Sequence, residues 1–134
     1  MVFFDTNILL YAGSNDPKDQ EKKVVASDLI SALDFSISSQ VLQEFISNAL
    51  GKKSLGLGES NITALIASLS EKQVVPVTLD LIRRAIILRR RFQLSHWDST
   101  ILAAAQELGC QTLYSEDFNH GQDYDGVQVV NPFR

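Results

Sequence analysis

Cysteine is almost absent from this chain: Cys110 is the only one in 134 residues. An internal disulfide is therefore excluded, and so is a zinc site built on cysteines. Histidine is nearly as scarce, with only His96 and His120, neither in a ligand-spaced motif. No apolar run approaches the roughly 18 residues that a membrane span needs. The apolar start is broken by Asp5 and has no basic segment before it, unlike a secretory signal. These absences lead to the expectation of a cytoplasmic protein without a membrane segment. Basic residues are not in excess either. Twelve Lys and Arg against sixteen Asp and Glu leave a net charge of −4, which speaks against a broad nucleic-acid-binding surface.

Apolar residues make up 45% of the chain, as in a folded globular protein, and the length suits a single domain over residues 1–134. Strand and helix signals alternate. Val2-Phe3-Phe4 reads as a short buried strand, and the apolar stretch Ile8–Ala12 as the start of a helix. Asp16-Pro17 opens a second helix through Leu33. Phe35–Ser38 reads as a strand, and Ser39 as the cap of a helix that ends at Gly51. A further helix is expected over about 60–72. Val74–Val77 forms a third strand, which Pro76 assigns to a sheet edge. Thr78 starts an arginine-rich helix and Ser95 another, closed by Gly109. Gln111–Tyr114 and Val127–Val130 complete five strands. Strands separated by helices predict a parallel sheet of four to five strands with helices on both faces, a three-layer α/β/α sandwich.

The acidic residues fall at telling places in that frame. Asp5 ends the first strand, and Asp117 follows the fourth by three residues. In a parallel sheet both stand at the carboxyl edge, where ligands bind. Each also has an ordinary explanation, Asp5 as a helix cap and Asp117 as a loop acid. Glu44 lies on the flank of the apolar face formed by Val41, Leu42, Phe45 and Ile46; a solvated helix acid is the plain alternative. Asp98 fits the S-x-x-D form of a capping box in Ser95-His96-Trp97-Asp98. Its helix is apolar nearly all round, however, and an inward carboxylate needs a partner or a metal. Four acids meeting at one edge would repel unless a cation neutralised them. Oxygen-only ligands select magnesium or manganese.

These segments resemble PIN-domain nucleases, above all the VapC-type toxins of toxin–antitoxin pairs. Phe4-Asp5-Thr6-Asn7 is similar to the family's first strand and its D-x-N motif. Ser39–Phe45 resembles the helix that carries a glutamate, Trp97–Ala105 the third acidic segment, and Leu113–Phe118 the fourth. Val129–Phe133 resembles the closing strand. The resemblance runs nearly end to end. It implies a magnesium- or manganese-dependent endoribonuclease, with Asp5, Glu44, Asp98 and Asp117 as metal-binding and catalytic acids and Thr6, Asn7 and Ser115 in support. It further implies an RNA substrate, a homodimer and a cognate antitoxin that blocks the site.

Two other readings remain open at this level: a PIN protein that matures RNA or merely binds it, and an aspartate-based phosphotransfer domain. The latter expects a second acid beside or two residues after the first, and Asp5-Thr6-Asn7 offers none. Among the remaining residues, His96 is expected to face solvent and Trp97 to pack at the start of its helix. Asp123 and Asp125 are expected in a solvated loop, and Cys110 as a small buried residue. Arg83, Arg84, Arg89, Arg90 and Arg91 form either a solvated face or a basic rim that guides phosphates.

Overall fold

The computed structural model describes residues 1–134. Its twelve regular elements are β1 (Val2–Phe4), α1 (Thr6–Gly13), α2 (Gln20–Ala32), β2 (Phe35–Ser38), α3 (Ser39–Gly51), α4 (Glu59–Leu69), β3 (Gln73–Val75), α5 (Leu79–Phe92), α6 (His96–Glu107), β4 (Thr112–Tyr114), β5 (Asp123–Tyr124) and β6 (Val127–Val130). The strands form one sheet in the order β3-β2-β1-β4-β6-β5. All pairs are parallel except β5 with β6.

The chain winds outward from β1 to β2 and β3, then returns across the sheet to lay β4 on the other side of β1. Between β1 and β4 the winding direction reverses. Such a switch point leaves a crevice outside the carboxyl ends of the two strands. Phe4 pairs with Tyr114, and the Asp5 N–H donates to the Tyr114 carbonyl at 3.1 Å. The residues just beyond, Asp5 and Ser115, are thereby fixed side by side.

One core of 27 buried residues joins the layers. Phe3, Phe4, Phe35, Ile37, Leu113 and Val129 supply the sheet's share, each at most 1% exposed. β1 reads as a continuous apolar run, as a strand covered on both faces does, whereas β2 alternates Phe35 and Ile37 with the buried Ser36 and Ser38. Helices α1, α2, α3 and α4 pack in a connected group, while α5 packs on α6 and α6 on β2, β4 and β6. Ala103, Ala104 and Ala105 are fully buried; their small side chains allow α6 a close approach.

Departures from the sequence reading are local. Ser38, not Ser39, caps α3, its hydroxyl accepting from the Val41 N–H at 3.2 Å. Ser39 instead accepts from the Val77 N–H at 3.0 Å, so the chain leaves the sheet at Pro76. β3 is an edge strand, as expected, but it runs Gln73–Val75, so Pro76 lies just past its end and not within the ladder. Pro17 opens a short 3₁₀ turn ahead of α2. A sixth strand, β5, pairs in a hairpin with β6 where a solvated loop was expected. Asp125 (φ 54°) and Gly126 (φ 98°) both take the left-handed conformation, and Asp-Gly is a favoured pair for that hairpin turn. Asp123 and Asp125 are nevertheless exposed, and Asp125 pairs with Arg91 at 2.7 Å.

Candidate metal centre

Asp5 is both a helix cap and a buried site carboxylate. It is only 4% exposed. One oxygen accepts from the Thr6 N–H at 2.7 Å, which caps α1. The other accepts from the Ser115 hydroxyl, also at 2.7 Å. Burial pushes its pKa from 3.8 up to about 7, against the opposing pull of the Ser115 and Thr6 hydrogen bonds. The charges of Asp117 and Glu44 add to the rise. A carboxylate this poorly solvated wants a proton or a cation.

Asp98 reaches the same point from the first turn of α6. The Ser95 hydroxyl accepts from the Asp98 N–H at 3.1 Å and so caps the helix. The return bond of a capping box, from the Ser95 N–H to the Asp98 carboxylate, is not made. Desolvation raises the Asp98 pKa, with the charge of Asp117 second and Glu44 after it; the Ser95 side chain works the other way.

Asp117 follows β4 on a short loop whose shape Ser115 sets. The Ser115 hydroxyl accepts from the Asp117 N–H at 3.1 Å. Asn7 Nδ2 lies 3.4 Å from that hydroxyl and 3.3 Å from Asp117 Oδ2. The intervening Glu116 turns away and is held by the Tyr11 hydroxyl at 2.6 Å and Lys22 Nζ at 3.0 Å. Nothing in the spacing of Tyr11, Lys22 and Glu116 announced that anchor, which joins α1, α2 and the site loop.

The result is that one carboxylate oxygen each from Asp5, Asp98 and Asp117 lies within 4.8 Å of the other two. Oxygens on opposite sides of a magnesium ion at ~2.1 Å are about 4.2 Å apart, so the cluster spans roughly what one such ion spans. Thr6 Oγ1 and Asn7 Oδ1 are buried without hydrogen-bond partners in the same Asp5-Thr6-Asn7 segment. The donor set is all oxygen, the raised carboxyl pKa of Asp5 and of Asp98 favours positive charge nearby, and no lysine or arginine pairs with the cluster. These residues fit a hard divalent cation.

Glu44 stands off from the three aspartates. It is half-buried, and its carboxylate accepts from Gln40 Nε2 at 2.6 Å. Its charge still raises both Asp5 and Asp98. It lines a neighbouring cleft of about 670 Å³ together with Gln40, His96 and Trp97. His96 is exposed as expected. Trp97 does not pack into the start of its helix: 65% of its surface is exposed, because residues buried against the sheet begin only at Ser99. The arginine cluster is partly consumed by ion pairs. Arg84 contacts Glu107 at 3.0 Å, at the end of α6 opposite Asp98.

A family model described as PIN domain matches residues 2–122 of the chain. No curated protein matches it. Among solved structures, a toxin–antitoxin complex from Klebsiella pneumoniae is similar over 98% of both chains, at 23% identity and a TM-score of 0.71. The Mycobacterium tuberculosis toxin VapC20, which cleaves the sarcin–ricin loop, is similar over 87% of this chain and 92% of its own, at 22% identity and a TM-score of 0.67. VapBC2 from Rickettsia felis, bound to a promoter DNA fragment, is similar over 96% and 97%, at 20% identity and a TM-score of 0.66. At these identities the likeness is one of fold.

Proposed function

Because the chain belongs to the PIN-domain family, we propose that it is a metal-dependent endoribonuclease, a single nuclease domain acting as the toxin of a toxin–antitoxin pair. The observation that carries this reading is the convergence of Asp5, Asp98 and Asp117 at the sheet's switch point. Magnesium or manganese is the ion whose ligand chemistry they match. When bound, it would supply a Lewis acid for the phosphodiester and an activated water.

The protein's own part is positioning and charge. Ser115 and the Thr6 N–H hold Asp5 by both oxygens, so its orientation is set before an ion arrives. Asn7 bridges the Ser115 hydroxyl and Asp117 and ties the loop to α1. Asp98 closes the third side from α6. Glu44 extends the acidic wall into the cleft, where it can hold a second ion or orient the attacking water.

RNA as substrate and a toxin role draw support from the structural neighbours. One is a toxin that cleaves the sarcin–ricin loop, another a toxin–antitoxin complex, and a third VapBC2 on promoter DNA. The net charge of −4 suits a partner that presents a basic segment, as a blocking antitoxin would. Exposed Leu79, Ile86 and Ile87 give α5 apolar surface for a second copy in a homodimer. No helix is long and apolar enough to cross a membrane.

The test is cleavage of a single-stranded RNA by the purified chain. EDTA should abolish it, and excess Mn²⁺ or Mg²⁺ should restore it. Asp98→Asn should lose at least about 100-fold in turnover, the order expected when electrostatic stabilisation of the reacting group is lost, with its circular dichroism unchanged. Full cleavage in chelator overturns the reading.

A further inference from the structure

The cleft beside the acidic cluster has features that a metal centre alone does not require. Trp97 stands on its wall with 65% of its surface in water. His96 packs edge-to-face against the indole, ring centroids 4.8 Å apart at an interplanar angle of 72°. That contact restrains the indole without covering it. Large exposed aromatics on a concave surface mark binding sites more often than single exposed aliphatics do.

Gln40 reaches the same cleft from α3 and is only 6% exposed. Its Nε2 donates to Glu44 Oε1 at 2.6 Å and to the Trp97 carbonyl at 3.1 Å. Both partners are acceptors, so the amide has one orientation. Its oxygen is thereby left as the free end, buried and without a partner. That oxygen is closed to water as the side chain now lies, and a small turn of the Gln40 amide toward the cleft would let it accept an N–H or O–H from outside the chain.

The position relative to the acids is equally specific. Trp97 precedes Asp98 directly, and Gln40 links the Trp97 carbonyl to Glu44. Resting on the ribonuclease reading above, we propose that this cleft is a nucleobase subsite. An unpaired base of single-stranded RNA stacks on Trp97, and an N–H on the base edge donates to the Gln40 side-chain oxygen. The adjoining phosphate then falls beside the acidic cluster. Stacking on an aromatic side chain tolerates any base, while the edge contact adds orientation.

Trp97 is the only tryptophan, so its emission reports on this cleft alone. The intact chain is titrated in EDTA with a short end-labelled single-stranded oligoribonucleotide. Label anisotropy reads binding, and tryptophan emission reads stacking. Saturable quenching that follows the anisotropy curve is expected, while an abasic oligomer of equal length should bind about tenfold more weakly and leave emission unchanged. Trp97→Ala should weaken binding of the base-bearing oligomer about tenfold, in line with the worth of one stacked base. Trp97→Phe should recover most of it.

Binding without quenching, or equal binding of the abasic oligomer, overturns the subsite and leaves the nuclease reading standing. Emission that shifts with protein concentration before RNA is added means that a second copy covers Trp97, which also overturns it. Absence of both RNA binding and metal-dependent cleavage removes the subsite together with the reading on which it rests.

Discussion

Asp5 carries the sharpest consequence at the scale of single residues. Burial pushes its carboxyl from the ordinary value of 3.8 up to about 7 in the folded chain. The folded state therefore binds the extra proton between about pH 4 and pH 7. The stability this adds is complete below the unfolded pKa and is lost as pH rises through 7. Metal-free protein should accordingly melt at a higher temperature at pH 5.5 than at pH 7.5. Asp5→Asn removes that titrating charge, so its melting temperature in EDTA should change less between those two values than that of wild type, Asp98 supplying what change remains. At pH 7.5 it should be more stable than wild type by at most about 4 kcal/mol, the shift expressed as free energy. It should at the same time lose affinity for Mn²⁺. Thermal melts in chelator at both pH values, with Mn²⁺ titration calorimetry, check both arms; a destabilised Asp5→Asn at pH 7.5 would contradict them. Asp98 shifts in the same direction and should reinforce the trend.

Among the elements, α6 is the one whose placement decides whether the site closes. Asp5, Ser115 and Asp117 hang from two strands joined by main-chain pairing, whereas Asp98 arrives from another layer. The distance between the two parts depends on how closely α6 packs between α5 and the sheet, and the small, fully buried Ala103, Ala104 and Ala105 leave room for close packing there. Ala104→Leu adds three carbons where there is no space. It should destabilise the fold by about 1–3 kcal/mol and weaken Mn²⁺ binding several-fold, though Ala104 touches no acidic residue. Urea melts and Mn²⁺ titration measure the two effects; unchanged metal affinity in a destabilised variant would disconnect helix packing from the site.

The sequence was most readable where local chemistry and tertiary position agree. Val2–Phe4 is apolar throughout, as suits a strand covered on both faces, and the Ser95 cap needs only its own first turn. Pro76 marks where β3 stops, one residue past Val75, since proline has no N–H to extend the ladder. β5 was missed although Asp125-Gly126 is a hairpin signal: two residues beginning with an aspartate look like loop until a partner strand is known. Trp97 was misplaced because burial of an aromatic depends on the register of its helix against the sheet, and no local pattern supplies that register. Gln40 and the Lys22–Glu116 pair emerge only when separate segments meet.

For the molecule as a whole, the centre should act as a ligand-linked brace. An ion that binds the folded chain and not the unfolded one adds about 2.7 kcal/mol at 100 times its dissociation constant. Mn²⁺ at that excess should raise the melting temperature at pH 7.5 by several degrees, and Asp98→Asn should show little of the rise. Differential scanning fluorimetry with and without the ion reads this directly; a wild-type melt indifferent to Mn²⁺ would contradict an ion held by three segments of the fold.

The pairing of β1 with β4 also has a meaning in time. Asp5 and the Ser115 that holds it are 110 residues apart in sequence, and β4 can join β1 only after the helices between them have been made. A ribosome that has released the first two-thirds of the chain has produced Asp5 and Glu44, but no place where the acids converge. The centre comes into being only when synthesis is nearly finished. A fragment that stops before β4 carries Asp5 without the Ser115 that holds it and without Asp117.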